Sequence, residues 1–308
     1  MLKVIVLGAA AGGALPQWNC RCAICAEAWG RAEMQDTQVS LAVSADDGQH
    51  WFLINASPDI RAQILTTPQL HPREGHLRHS PIAGVFLTNG EIDAITGLLS
   101  MREGQPFALY GHPRVLETLA SNSVFNVLNP GRVPRLPITL GEVFEPALPD
   151  GTPSGLVVEA FTVPGKAAWY LEGTPEGEGH SVGDTIGLTL SDRTTGKRAH
   201  VILACAAMSP DLEARLRGAD LVFFDGTLWR DDEMIRAGLA QKTGASMGHV
   251  SMSGPGGSMA LLSDLGITRK VFVHINNSNP VWLEDSPERA SVEAAGWIIP
   301  RKGQEFTA

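Results

Sequence analysis

The sequence predicts an α/β protein in which two sheets are flanked by helices. Three observations carry this expectation. Apolar runs of about four to six residues, rich in Val, Ile, Leu and Phe and bounded by turn residues, recur along the chain at strand length. Strand pairs come first and alternation of strands with helical patterns follows, the order expected of layered sheets. Of the 308 residues, 44% are hydrophobic, enough for a large core. No repeat of about 20–50 residues is visible, so residues 1–308 are read as one domain.

The first strand is Val4 to Leu7. Gly8, Gly12 and Gly13 follow it, but their spacing is not G-x-G-x-x-G and Pro16-Gln17-Trp18 stands where a helix would begin, so no nucleotide cofactor is expected. The same residues make a poor secretory segment, and a cytoplasmic location is expected. Further strands are expected at Trp51–Ile54, Val85–Leu87, Leu156–Val158, Thr185–Leu190, Val201–Leu203, Leu221–Phe224 and Val271–Ile275. Helical spacing marks Ile92–Arg102, Arg114–Ala120 and Ser258–Leu265. Ser209-Pro210-Asp211 opens another helix with an N-cap, a proline at its first position and an acid in its first turn. Thr66–Ser80 and Leu171–Gly183 read as surface excursions, and His71, His76 and His79, like His50, His112, His180 and His200, as ordinary solvated or structural histidines.

Charge excludes some partners. The chain has 24 basic and 33 acidic residues, a formal net charge of −9, and no Lys/Arg cluster to meet the phosphates of a nucleic acid or an anionic membrane. No apolar run approaches the roughly 20 residues of a membrane span.

Four groups of residues point to chemistry. Cys20, Cys22 and Cys25 crowd into six positions. Loops that short do not readily close disulfides, whereas three thiolates supply three corners of a tetrahedral zinc site. Cys205, inside an apolar run, reads as a small buried hydrophobe. Glu91 and Asp93 follow a buried strand, where they either chelate a metal or simply cap a helix. Asp225 ends another strand, His274 with Asn276, Asn277 and Asn279 ends a third, and His249 sits in a loop after Gly248. Polar residues recurring at strand ends are what a site on a rigid sheet requires.

Taken in order, these motifs resemble a known family. They are Pro16-Gln-Trp-Asn-Cys-x-Cys-x-x-Cys25, Asn55-Ala-Ser-Pro-Asp59, Leu87-Thr-x-x-Glu-Ile-Asp93, Val163-Pro-Gly-Lys166, Phe224-Asp-Gly-Thr-Leu-Trp229, Met247-Gly-His249 and His274-Ile-Asn-Asn-Ser-Asn-Pro280. The chain is similar to the B proteins of pyrroloquinoline quinone (PQQ) biosynthesis, a branch of the metallo-β-lactamase superfamily. The resemblance implies an αββα sandwich and an iron- and O2-dependent hydroxylation of the tyrosine ring of a glutamate–tyrosine-derived precursor. Other proteins of that biosynthesis and a second copy of the chain remain open as partners.

Superfamily hydrolases carry H-x-H-x-D-H where this chain reads Asn89-Gly-Glu91-Ile-Asp93-Ala94. Loss of the H-x-H pair argues against hydrolysis, and oxygen ligands with imidazole suit Fe(II). The resemblance therefore implies Fe2+ at Glu91, Asp93 and His274, joined in some arrangements by Asp225 or His249. It also implies roles for Lys166, His249 and Asp225 in orienting a carboxylate or handling protons. Lys166 stands where many hydrolases have a metal-binding histidine. Structural Zn2+ falls to Cys20, Cys22 and Cys25, with the fourth corner open between Asn277, a water and another histidine. Ala94 replaces a histidine of the family pattern, which puts activity in question. Two alternatives stay open: a non-catalytic carrier of finished PQQ, and a zinc-dependent hydrolase.

Overall fold

The computed structural model describes residues 1–174, 177 and 182–308. His180, read above as an ordinary histidine, and part of the Leu171–Gly183 excursion lie outside the described residues. In chain order the strands are β1 (Lys3–Gly8), β2 (Ser40–Ser44), β3 (Trp51–Ile54), β4 (Ile82–Leu87), β5 (Ala108–Gly111), β6 (Arg135–Pro137) and β7 (Val143–Phe144). They continue as β8 (Leu156–Thr162), β9 (Ile186–Asp192), β10 (Arg198–Ile202), β11 (Leu221–Asp225), β12 (Arg269–Val273), β13 (Trp297–Ile298) and β14 (Glu305–Thr307). Two seven-stranded sheets result, ordered β14-β1-β2-β3-β4-β5-β6 and β13-β12-β11-β10-β9-β8-β7.

Side-chain alternation along the strands builds the layers. Val4 and Val6 of β1 face inward with Leu41, Val43, Phe52 and Ile54, meeting Val158, Leu188, Leu190, Val201 and Phe223 of the second sheet. Ile5 and Leu7 face outward with Leu53, Val85 and Leu87, and pack on Ile60, Val115 and Leu119 from helices Ile60–Thr66 and Pro113–Ser121. On the far side, helices Pro210–Leu216 and Pro287–Ala294 bury Leu212, Leu216 and Val292. Helix, sheet, sheet, helix is the αββα sandwich. Strands buried on both faces read as continuous apolar runs, which is why the sequence announced them.

Two expectations need correction. The helix expected over Ile92–Arg102 is one α-turn, Ile92–Ile95, followed by 3-10 turns through Met101. Gly97 donates its N–H to Ala56 O at 2.9 Å instead of extending the helical ladder, and a Cβ at Gly97 would lie 2.1 Å from Ser57 O. The close approach of two backbones selects glycine there and interrupts the helix. The helix expected over Ser258–Leu265 ends at Leu261.

Parallel pairing of β3 through β6 and of β10 through β13 aligns strand ends on each sheet. The sheets are joined near the end of β4, where Ile186 N donates to Thr88 O at 2.9 Å. Among the described residues no helix is long and apolar enough to cross a membrane.

Candidate functional site

Two clusters of ligand-type side chains lie beside one another at this end of the sandwich: Cys20, Cys22 and Cys25, and Asp225, His249 and His274. Within each, the candidate ligand atoms lie within 4.8 Å of one another.

The cysteines are not confined to one loop, as their spacing had implied. Cys22 caps helix Ala23–Gly30 and Cys25 sits in its first turn, with Cys25 N donating to Cys22 Sγ at 3.5 Å. Across from them Asn277 directs its amide at all three sulfurs: Nδ2 is 3.3 Å from Cys20, 3.3 Å from Cys25 and 4.0 Å from Cys22. Burial resists ionisation of Cys20, but the Cys22 amide and hydrogen bonds from Cys22, Cys25 and Asn277 outweigh it and hold that thiol below its usual range. Burial pushes Cys25 up to about 12. A cation between the three sulfurs would remove that opposition, and the donor set fits zinc. Rotating the Asn277 side chain would offer its oxygen as the fourth ligand.

The second cluster is assembled from two strand ends and the loop after a short helix. Asp225 closes β11 and is fully buried. Its Oδ2 accepts from Cys205 N at 2.8 Å and from His249 Nδ1 at 2.6 Å, and its Oδ1 accepts from Thr227 N at 3.0 Å and Thr227 Oγ1 at 2.7 Å. Burial alone would raise its pKa, but the charge and hydrogen bond of His249 hold the carboxyl below the usual range. His249 follows Gly248, which ends helix Gly244–Met247 in the left-handed conformation at φ 87° and turns the next residue into the site.

His274 follows β12 and is itself left-handed, at φ 58°. Such strain in a non-glycine residue costs about 1–3 kcal/mol and persists where surroundings over-determine it. Here Ile275 N donates to Ala9 O and Ala11 N to Ile275 O, both at 2.8 Å, so the loop after β1 fixes the backbone. His274 Nε2 lies 3.1 Å from Asp93 Oδ2. Burial would lower the His274 pKa, but the Asp93 hydrogen bond and the charges of Asp93, Asp225 and Glu91 hold it above the usual value. Burial would raise the pKa of Asp93, but the hydrogen bond and charge of His274 hold that carboxyl below the usual range.

Thr227 is the residue that sequence reasoning missed. Its hydroxyl lies 2.7 Å from His274 Nδ1, 3.0 Å from His249 Nδ1 and 2.7 Å from Asp225 Oδ1. With a single proton to donate to Asp225, it can accept from an imidazole N–H and so helps set which nitrogen of each ring is protonated. A hydroxyl two residues after a strand-end acid was the available signal. The rings of His249 and His274 stack with centroids 5.0 Å apart.

The remaining candidates take other positions. Glu91 reaches the segment after β8, its Oε1 accepting from Trp169 N at 3.0 Å, and burial together with the Asp93 charge raises its pKa. Lys166 pairs with Glu172. Ala94 is buried in the outer apolar cluster with Ile5, Ala56, Ile95 and Leu98. Asn55, from the second motif, is left-handed at φ 60° and accepts from Thr88 N at 2.9 Å, fixing the turn that leads to Asn89 and Glu91. Cys205 is fully buried, and burial raises its pKa.

Known proteins are similar to this chain in sequence and fold. A family model described as a beta-lactamase superfamily domain matches residues 50–275. Coenzyme PQQ synthesis protein B of Rhodopseudomonas palustris strain BisB5 is 61% identical over 308 residues, covering 100% of both chains. A crystal structure of zinc-bound PqqB from Methylobacterium extorquens superposes with a TM-score of 0.93 at 51% identity, covering 99% of this chain and 100% of that one. A diphosphatase of the PhnP family shares the fold, with a TM-score of 0.68 at 19% identity, covering 100% of this chain and 98% of that one.

Proposed function

The chain belongs to the coenzyme PQQ synthesis protein B family of the beta-lactamase superfamily, and from that premise we propose that it acts in PQQ biosynthesis as an iron- and O2-dependent hydroxylase. Its substrate is the tyrosine ring of a glutamate–tyrosine-derived precursor. The observation that carries this reading is the donor set of Asp225, His249 and His274, two imidazoles and one carboxylate with ligand atoms within 4.8 Å. Two histidines and a carboxylate are the ligands that non-haem Fe(II) oxygenases favour. The resemblance implied Glu91, Asp93 and His274, joined in some arrangements by Asp225 or His249; in the proposed site Asp225 and His249 join His274, Asp93 stands beside it, and Glu91 also accepts from the segment after β8.

When bound, ferrous iron supplies the O2 chemistry that no side chain provides. The chain's own residues do the rest. Thr227 and Asp225 fix the two imidazoles, Asp93 balances charge at His274, and Lys166 orients a substrate carboxylate. The Asp225–His249 pair holds a proton at His249 Nδ1. Cys20, Cys22 and Cys25, with Asn277, hold structural zinc and tie the loop after β12 to the start of the chain.

Anaerobic loading with Fe(II), addition of a glutamyl-tyrosine precursor and exposure to O2 tests the reading. The expected result is a product heavier by one oxygen atom, absent when Zn(II) replaces Fe(II). Tight binding of PQQ without any turnover would overturn it in favour of the carrier, and metal-dependent phosphodiester hydrolysis in favour of the hydrolase.

A further inference from the structure

We propose that Lys166 and Lys242, walled by Trp169, form a binding site for a substrate carboxylate, and that Glu172 occupies this site until substrate displaces it. The inference rests on the proposed function in taking the Asp225–His249–His274 cluster as the reaction centre and Lys166 as a carboxylate partner, and adds Lys242, Trp169 and the competing Glu172.

The segment after β8 is fastened to the turn after β4 at two points. Trp169 N donates to Glu91 Oε1 at 3.0 Å, and Tyr170 Oη donates to Gly90 O at 2.7 Å. Beside these anchors one carboxylate meets two ammonium groups: Glu172 pairs with Lys166, and its other oxygen lies 3.7 Å from Lys242 Nζ. Lys242 Nζ lies 5.2 Å from the centre of the Trp169 ring, which is itself exposed. An indole face beside an ammonium gives the site an apolar wall that also favours the cation.

Lys166 is the inner member. Its side chain is 19% exposed, against 45% for both Glu172 and Lys242. Its stem adjoins Gly248, where a Cβ would lie 3.3 Å from Lys166 Cγ, so it flanks the residue that delivers His249. A partly buried ammonium needs an anion beside it. Glu172 fulfils that need from a half-exposed position, where an ion pair contributes little and is readily exchanged. An incoming carboxylate would restore the same pairing while placing its remaining atoms against Trp169 and the cluster. The tethered Glu172 is a competitor present at roughly millimolar effective concentration.

Calorimetric titration of glutarate into the full chain, at low and high ionic strength, tests the assignment without requiring turnover. Glu172→Gln is expected to bind glutarate roughly tenfold more tightly than the unaltered chain, because the tethered competitor is removed. Adding Lys242→Gln is expected to abolish that gain, while Lys242→Arg retains most of it. The gain should shrink at high salt, and dimethyl glutarate should show none. The proposal is overturned if Glu172→Gln binds no more tightly, if the gain survives Lys242→Gln, or if inorganic phosphate binds the Glu172→Gln chain more tightly than glutarate. Failure of the hydroxylase assay would leave these titrations unchanged, so the two readings fail separately.

Discussion

Zinc should couple directly to the stability of this fold through the cysteine cluster. Cys20, Cys22 and Cys25 lie on one side of the site and Asn277 on the other, 252 residues beyond Cys25. A cation held between them exists only in the folded chain, so its binding free energy becomes folding free energy. Above the dissociation constant, each tenfold rise in free zinc adds about 1.4 kcal/mol. The unfolding entropy of a protein this size is about 0.65 kcal/mol/K, which converts that increment to a Tm shift of roughly 2 °C per decade. Scanning calorimetry in zinc buffers spanning four decades should therefore show a rise of roughly 8 °C. The measurement belongs in a His249→Ala background, so that the neighbouring cluster adds no slope of its own. Cys22→Ser is expected to flatten the dependence, since one of three sulfurs is lost. A Tm indifferent to zinc in fully folded protein, or a slope that survives Cys22→Ser, would refute the reasoning.

His200 is buried, and burial followed by the charges of Arg215 and Arg198 lowers its pKa to about 4. The unfolded value is about 6.5, so the unfolded chain takes up the proton first: stability is intact above pH ~6.5 and falls by about 3 kcal/mol as pH drops to ~4. Urea unfolding should show His200→Gln lacking this part of the slope, and an unchanged slope would remove the assignment. Thr227→Val, which keeps the shape and loses the hydroxyl, is expected to weaken divalent-cation binding about 10–100-fold, while Thr227→Ser retains it; Co(II) titration followed by visible absorption reads the difference. Ala94→His is expected to cost about 1–3 kcal/mol, because the ring must enter the outer apolar cluster. Unchanged stability with tighter iron binding would show instead that the ring turns to the metal.

The sequence displayed most of the long buried strands and hid the short ones, together with buried β2, whose terminal serines interrupt its apolar run. Val4 to Leu7 and Leu221 to Phe224 are apolar on every residue because both faces are covered. Arg135–Pro137 and Val143–Phe144 are edge strands of three and two residues, paired only because a neighbour lies alongside. No local pattern encodes that. Helical spacing ran through Gly97 without a break, since nothing local shows that the Ala56 backbone claims its N–H. Asp225 and His274 at strand ends and His249 in its loop all stood out, and their joining at one metal was weighed as an arrangement; the place of Thr227 between them was not visible. Glu91 was assigned beside His274 through the resemblance; in the fold its charge acts on His274 while its carboxylate also accepts from Trp169 N, a contact that no motif encodes. Lys242 and Glu172 gave no signal because their meeting depends on two distant surface segments.

The loop after β12 explains why the two clusters are neighbours. His274 serves one, and three residues later Asn277 faces the other. Between and beyond them the polar side chains brace the loop: Asn276 Nδ2 donates to Ser278 Oγ at 2.6 Å, and Ser278 Oγ donates to buried Glu233 at 2.6 Å. Asn279 Nδ2 then donates to Gly226 O at 3.1 Å, beside Asp225. A left-handed histidine is a costly way to end a strand, and it is stable only if the following residues cannot relax. Anchoring Asn277 on the cysteines and Ser278 on Glu233 denies them that freedom. Through backbone geometry the cysteine cluster thus bears on the cluster of Asp225, His249 and His274. This also accounts for an Asn-Asn-Ser-Asn run that forms no helix or strand: Asn277, Ser278 and Asn279 each bond outside the run, to the cysteines, Glu233 and Gly226, and Asn276 braces Ser278.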